Sequence, residues 1–512
     1  MRYLIVPFII YILAKTEGVL SQDEISKERS PEFWRKNAQD DLLIKLSKTL
    51  NLNKAKNIIL FLGDGMSNPT ITAARIFKGQ NEGFNGERDS LSFEKFPTVG
   101  LSKTYCVDSQ VADSACSATA YLTGVKSNYQ TIGVSAEVKL NDCLASKVEK
   151  NQVDSIAVWA QNNGLSTGIV TTTTVTNASP AGTYSHTPNR GFESDVYIRA
   201  LNQSLEDCED IAKQLIFRDP GKSFNVILGG GRKNFLPNST TNGNRLDNLD
   251  LIKHWEDSKL NWKRSKIMSK KARTKYVTDR ESLLNVDFRR TDYLLGLFNR
   301  GHLDYHLDSK SRQPTLKEMT EAAIKVLQKN NKGYFLFVEG GLIDKAHHVN
   351  MAYKALDETL EFSKAVQKAV DLTQENDTLI VVTADHAHVM SMAGYSDRGN
   401  PITGIAGQVS NIDKLPYMTL SYANGPSAGQ HSNRGLRDDL RNVDNIGEKD
   451  FQYPSLVPLQ YESHGGDDVT VFARGPWAHL FSGVIEQNNI PHFMAFAGCL
   501  GNGLTMCSND YK

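Results

Sequence analysis

Acidic and imidazole side chains gather in four short segments whose spacing suits metal ligation. Gly63-Asp64-Gly65-Met66 sets one carboxylate between glycines that let the backbone turn sharply. Glu339-Gly-Gly-Leu-Ile-Asp344-Lys345-Ala-His347-His348 carries two acids and two imidazoles. In a helix that begins there, positions i and i+4 bring Asp344 and His348 onto one face. Thr383-Ala-Asp385-His386-Ala-His388 and Glu462-Ser-His464-Gly-Gly-Asp467-Asp468 complete the set. One Asp–His pair is ordinarily a salt bridge or a solvated loop, but four such segments at strand ends point to a metal centre. Mixed Asp/His donors suit zinc and oxygen donors suit magnesium. Two zinc ions a few ångströms apart can clamp the attacking and leaving oxygens of a displacement at phosphorus. The chemistry implied is metal-assisted hydrolysis.

A nucleophile is available in Val111-Ala112-Asp113-Ser114-Ala115-Cys116-Ser117-Ala118-Thr119-Ala120. The small residues after Ser114 favour a tightly packed helix whose N-terminus would hold an oxyanion. A serine hydroxyl is a poor nucleophile by itself, and zinc coordination would generate the alkoxide. A lone serine in this setting is otherwise a helix cap.

These groups need a scaffold, and apolar runs that end in Gly, Asp or His supply one. The runs are Asn57-Ile-Ile-Leu-Phe-Leu-Gly-Asp64, Gly168-Ile-Val-Thr171, Phe224-Asn-Val-Ile-Leu-Gly229, Tyr334-Phe-Leu-Phe-Val-Glu339 and Thr378-Leu-Ile-Val-Val-Thr-Ala-Asp385. Continuous apolar character predicts strands covered on both faces, in a parallel or mixed sheet. Helical periodicity lies between them, over Leu316–Leu327 and Met351–Leu372. This alternation predicts an α/β sandwich, with ligands bound beyond the carboxyl ends of the strands. Residues from about 394 to 461 are rich in Gly, Asn, Ser and Pro, and read as an insertion or lid.

The 58 Lys+Arg residues cancel the 58 Asp+Glu, which argues against a nucleic-acid binder. Arg2 followed by the apolar run Leu4–Leu13 predicts a secretory signal peptide over residues 1–21. Cys507-Ser508-Asn509-Asp510-Tyr511-Lys512 carries no hydrophobic tail for a glycolipid anchor, so a secreted, extracellular protein is expected. Asn202, Asn238 and Asn376 stand in glycosylation sequons. Six cysteines allow fifteen disulfide connectivities, and Cys499 and Cys507 are near enough in sequence to close a small loop.

Asp113-Ser114-Ala115 with its Ala/Thr-rich continuation and Tyr121-Leu-Thr-Gly-Val-Lys126 resembles the alkaline phosphatases, its animal branch most closely. Gly63-Asp64-Gly65-Met66, Val338-Glu339-Gly-Gly, Thr383-Ala-Asp385-His386 and Val471-Phe-Ala-Arg-Gly-Pro476 carry the same likeness, in the family's order, from about Asn57 to Cys507. The resemblance implies a three-layer α/β sandwich over residues 22–512, with a large, mostly parallel central sheet and an irregular crown-like insertion at about 394–461. It implies a phosphomonoesterase that passes through a phosphoserine on Ser114. Asp344, His348 and His464 would hold one zinc, and Asp64, Asp385 and His386 the other. Asp64, Ser179 and Glu339 would hold a magnesium. Arg190 would grip two phosphate oxygens, a task for which a guanidinium fork is better shaped than lysine. His388 and Asp113 would sit beside these groups without binding metal.

The resemblance also implies that Cys143 pairs with Cys208 and Cys499 with Cys507, leaving Cys106 and Cys116 either paired or free. It implies a homodimer, with Tyr395 reaching the partner, that acts on small phosphate monoesters such as extracellular nucleotides. Two positions depart from the animal pattern. Asn177 stands where a His is general, and Lys345 follows the zinc aspartate where a His is usual. Such supporting residues tune metal affinity and the acidity of bound water, so magnesium affinity, turnover or pH optimum should shift while the reaction class stays. The neutral Asn299 and Gln313 stand near positions where many animal members use carboxylates for calcium, so no calcium is expected. Two other readings are a sulfatase or phosphodiesterase of the same superfamily and a silent ligand-binding protein. Cys116-Ser-Ala-Thr-Ala lacks the Arg of the sulfatase motif, and the retained Ser114, Arg190 and zinc ligands disfavour a silent protein.

Overall fold

In the computed structural model, residues 26–261, 273–433 and 435–508 are described. The expected signal peptide over 1–21 lies outside them. A ten-stranded sheet runs through the molecule. Its strands are β1 (Asn57–Gly63), β2 (Thr98–Lys103), β3 (Ser166–Thr174), β4 (Val226–Gly230) and β5 (Thr274–Val277), then β6 (Tyr293–Leu297), β7 (Tyr334–Gly340), β8 (Thr378–Thr383), β9 (Val469–Arg474) and β10 (Gly483–Glu486). The spatial order is β10-β2-β9-β8-β1-β7-β3-β4-β6-β5. Only β9 runs antiparallel to its neighbours β8 and β2. The parallel or mixed sheet expected from the apolar runs is therefore present, and it is mostly parallel, as the resemblance implies.

Alternation along the strands makes the three layers. Ile58, Leu60 and Leu62 enter the core on one face, while Ile59 and Phe61 enter the core on the other. Five helices matter for the site: α1 (Asn68–Asn81), α2 (Ser114–Thr123), α3 (Leu316–Leu327), α4 (Leu342–His348) and α5 (Ala352–Leu372). Helix α3 starts at a capping box, in which Thr315 accepts from the Glu318 amide and Glu318 from the Thr315 amide. It packs with α5 over the Ile59 face. Helix α2 lies on the opposite face, where Ala115, Ala118, Tyr121 and Leu122 join the core. All ten of its residues are buried, which its small side chains permit.

Register sets the active end. Leu62 lies beside Glu339 of β7 and Thr383 of β8, and Thr171 of β3 lies on the other side of Glu339. Strands β1, β7 and β8 thus finish together, and the residues at or just after their ends project beyond one sheet edge. Residues from 390 to 458 form small sheets, including Met390–Met392 with Leu420–Gly425 and Ser455–Pro458. Ile402, Met418, Leu440, Phe451 and Tyr453 of this region join the core on the Ile59 face. No helix among the described residues is long and apolar enough to cross a membrane.

Candidate metal centre and nucleophile

Asp64 follows the last residue of β1 and is fully buried. The turn that presents it needs a glycine. Gly65 has φ +66°, and a Cβ there would come within 2.3 Å of the His388 ring. Asp385 follows β8 by two residues, and its Oδ1 accepts from the amides of Gly65 and His386 at 2.9 Å each. Glu339, near the end of β7, accepts with Oε2 from the hydroxyls of Thr171 and Thr173. Helix α4 starts directly after the Gly340-Gly341 turn and stacks Asp344 over His348, whose Nε2 is 3.2 Å from Asp344 Oδ1. His464 reaches the same place through a short antiparallel pairing of His464–Gly465 with Ala387–His388. The four sequence segments therefore meet, as their positions at strand ends imply.

Several buried oxygens here have no hydrogen-bond partner among the described residues. They are both oxygens of Asp64, Oδ2 of Asp385, Oε1 of Glu339, Oγ of Ser179 and Oδ1 of Asn177. Lone pairs also face lone pairs at two points. His348 Nδ1 meets the Glu462 carbonyl at 2.6 Å and His464 Nδ1 meets the Ala112 carbonyl at 2.8 Å, so Nδ1 is the donor in each, and in the neutral ring Nε2 carries the lone pair. Those two Nε2 atoms lie 3.3 Å apart, with Asp344 Oδ1 beside both. His386 Nδ1 likewise turns to the Ala387 carbonyl, leaving its Nε2 at 3.2 Å from Asp385 Oδ2 and 3.5 Å from Asp64 Oδ1. Burial, then the neighbouring His464, holds the His386 imidazole well below its ordinary value, which disfavours a proton on that ring. Burial, then the charges of Asp385, Asp344 and Glu339, pushes the Asp64 carboxyl well above its ordinary range. Buried acceptors pointed at one another call for cations between them. The two donor sets fit zinc, and the oxygen-only group of Asp64, Ser179 and Glu339 has the chemistry of a magnesium site.

His388 has neither ring nitrogen free, since Nε2 meets Asp344 Oδ1 at 2.7 Å and Nδ1 meets Glu462 Oε2. Burial lowers its pKa, but Glu462 and Asp344 outweigh that and raise it from 6.5 to about 10. Lys345 Nζ donates to Asp344 Oδ2 at 2.8 Å. Asn177 stands just before the short helix Ala178–Ala181 that carries Ser179, and its side chain makes no cap hydrogen bond there. Asn299 and Gln313 both donate to Asp304, at 3.2 and 3.1 Å.

The candidate nucleophile, Ser114, stands at the first residue of α2. Ser114 Oγ is 3.2 Å from His386 Nε2. Asp113 caps the helix, its Oδ1 accepting from the Cys116 amide at 3.3 Å and the Gln130 amide at 2.9 Å. Its Oδ2 takes a 2.9 Å hydrogen bond from Arg190, whose loop is tied down by Arg190 N to the Gln130 carbonyl. Serine, guanidinium and both donor sets thus border one space, an arrangement suited to in-line displacement at phosphorus.

Sequence reasoning gave no role to Thr171, Thr173 or Glu462. The threonines orient Glu339, and Glu462 holds His388. The alternate Thr positions at the end of β3 and the spacing of Glu462 two residues before His464 were the available signals. The implied bridges Cys143–Cys208 and Cys499–Cys507 both form, and Cys106 and Cys116 pair with each other. Asn202, Asn238 and Asn376 are exposed.

A family model described as "Alkaline phosphatase" matches residues 55–500. The membrane-bound alkaline phosphatase of Bombyx mori is 47% identical over 492 residues, covering 94% of this chain and 87% of that protein. The tissue-nonspecific isozyme of alkaline phosphatase from Rattus norvegicus is 46% identical over 520 residues, covering 99% and 95%. Among solved structures, Thermus thermophilus alkaline phosphatase superposes with a TM-score of 0.61 at 21% identity, covering 90% of this chain and 95% of that one. The enzyme from the Antarctic bacterium TAB5 gives 0.59 at 22%, covering 88% and 100%; both likenesses bear on the fold alone. With the family model spanning the converged site and the curated relatives spanning nearly the whole chain, the chain is an enzyme of the alkaline phosphatase family.

Proposed function

We propose that this enzyme is a secreted phosphomonoesterase that works through a phosphoserine on Ser114, with two zinc ions and one magnesium ion as cofactors. The observation that supports this best is the pair of histidine lone pairs, His348 Nε2 and His464 Nε2, facing each other at 3.3 Å beside Asp344. Asp344, His348 and His464 would hold one zinc, Asp64, Asp385 and His386 the second, and Asp64, Ser179 and Glu339 the magnesium. When bound, these ions would lower the pKa of the Ser114 hydroxyl and of the attacking water, and would neutralise charge on the phosphoryl oxygens.

The chain's own groups do the rest. Arg190, braced by Asp113, binds two phosphoryl oxygens and fixes the phosphorus in line with Ser114 Oγ. Ser114 Oγ bonds to phosphorus as the alcohol departs, and water then displaces Ser114 Oγ from the opposite side. Two inversions give overall retention. Substrates are small phosphate monoesters, extracellular nucleotides among them. The same reading takes residues 394–461 as a crown-like cap and the enzyme as a homodimer. Tyr395, 86% exposed in the single chain, is the side chain available to a partner. Hydrolysis of p-nitrophenyl phosphate, with and without chelator and beside Ser114→Ala, tests the mechanism. Activity that survives both treatments rules it out, and sedimentation tests the dimer.

A further inference from the structure

The disulfide Cys106–Cys116 closes a ring that contains Ala112, Asp113 and Ser114. Each of these three touches the catalytic machinery. The Ala112 carbonyl accepts from His464 Nδ1 at 2.8 Å, Asp113 accepts from Arg190 at 2.9 Å, and Ser114 is the nucleophile. Both sulfur-bearing residues are buried and pack against Ala112. The segment leading into the helix is otherwise held by side chains, the Ser109 hydroxyl donating to the Val111 carbonyl at 2.8 Å and His464 to that of Ala112. Cys106 N bonds to the Ser109 carbonyl and Val107 N to the Ser127 carbonyl, but no backbone-to-backbone hydrogen bond among the described residues engages Gln110, Val111 or Ala112. A covalent tie to the first turn of α2 therefore stands where backbone-to-backbone bonds are missing and side-chain bonds alone hold the chain.

We infer that the Cys106–Cys116 bridge is a positioning element for phosphate binding, holding the Ala112–Ser114 segment so that Asp113 keeps Arg190 aimed at the phosphoryl oxygens. Opening the bridge leaves the Cys116 and Gln130 amides alone to hold the carboxylate that braces Arg190, and the Ser114 hydroxyl and the ligand side chains stay in the chain. The expected signature is a weakened grip on phosphate. A bridge that serves stability alone would lower the unfolding temperature and leave that grip unchanged.

This inference rests on the phosphomonoesterase reading, and the two fail separately. Wild-type hydrolysis of p-nitrophenyl phosphate tests that reading, whereas the bridge is tested by comparing variants. In Cys106→Ser/Cys116→Ser, and in Cys106→Ala/Cys116→Ala as a second pair, KM and the inhibition constant of inorganic phosphate should rise about three- to tenfold, with kcat changed less. In an Asp113→Asn background, removing the bridge should add less than about twofold to either constant, because both changes act through Arg190. Unchanged constants in a folded variant, or full additivity with Asp113→Asn, overturn the inference. Should neither pair be secreted, the phosphate inhibition constant of the wild type is followed during reduction by a phosphine, with alkylation mass spectrometry reading the opened fraction of Cys106–Cys116. Constants that climb with that fraction support the inference, and constants that stay fixed as it grows overturn it.

Discussion

Replacing Asp113 with Asn removes one charge and keeps nearly everything else. The Asn Oδ1 can still accept from the Cys116 and Gln130 amides, so the cap on the nucleophile helix survives. The side-chain amide would meet Arg190 where the carboxylate oxygen stands at 2.9 Å, setting donor against donor. A hydrogen bond to a charged group contributes about 1.5–3 kcal/mol. With 22% of the Arg190 side chain exposed, solvent screening reduces this to about 1–2 kcal/mol. At 1.36 kcal/mol per tenfold, that is a loss of about 5- to 30-fold in phosphate affinity. Steady-state hydrolysis of p-nitrophenyl phosphate with phosphate as competitive inhibitor reads it directly: KM and the inhibition constant should both rise by that factor, and the unfolding temperature should move little. Constants within about twofold of wild type would show that Arg190 is aimed by something other than Asp113.

Three further outcomes are expected. Ser114→Ala should lose at least about a thousandfold in kcat while still binding phosphate through Arg190, as isothermal titration would show. Asn177→Asp adds a carboxylate two residues from Ser179 and should tighten magnesium binding by about tenfold, read by metal titration of the zinc-loaded protein. Glu358 is buried on α5 and accepts from the His306 amide at 2.7 Å; burial, then Asp357, raises its carboxyl from 4.5 to about 8. Because the folded value exceeds the unfolded one, its contribution to stability is whole below about pH 4.5 and lost as pH rises through about 8. Glu358→Gln keeps the acceptor without the ionisation. It should therefore unfold at the same temperature as wild type near pH 5 and at a higher one near about pH 9.5, and parallel pH profiles for the two proteins would refute this.

The readable part of this fold was the part with a strong physical signature. Strands β1, β7 and β8 are buried on both faces, so they are continuous apolar runs, and the charged residue that breaks each run marks the active end of the sheet. That is why Asp64, Glu339 and Asp385 could be placed before any contact was known. Strands β2 and β10 are largely half-buried or exposed, and short strands of ordinary composition leave little trace of pairing. Asp344 and His348 followed from helical spacing, but Glu462 acts across 74 residues on His388, and its place two residues before His464 did not name that partner. The pairing of Cys106 with Cys116 stayed open for the same reason. Spacing allows a bridge between them, and only the path of the segment through Ala112 brings their Cα atoms to 5.8 Å.

The central claim is that Ser114 carries the phosphoryl group in a metal-dependent reaction. It is tested most directly by rapid acid quench of the working enzyme with p-nitrophenyl phosphate, followed by peptide mass spectrometry. The account predicts a peptide heavier by one phosphoryl group, with the modification on Ser114, seen in metal-loaded protein and lost in chelated protein and in Ser114→Ala. A phosphoryl group on another residue, or rapid turnover with no labelled peptide at any quench time, would contradict it.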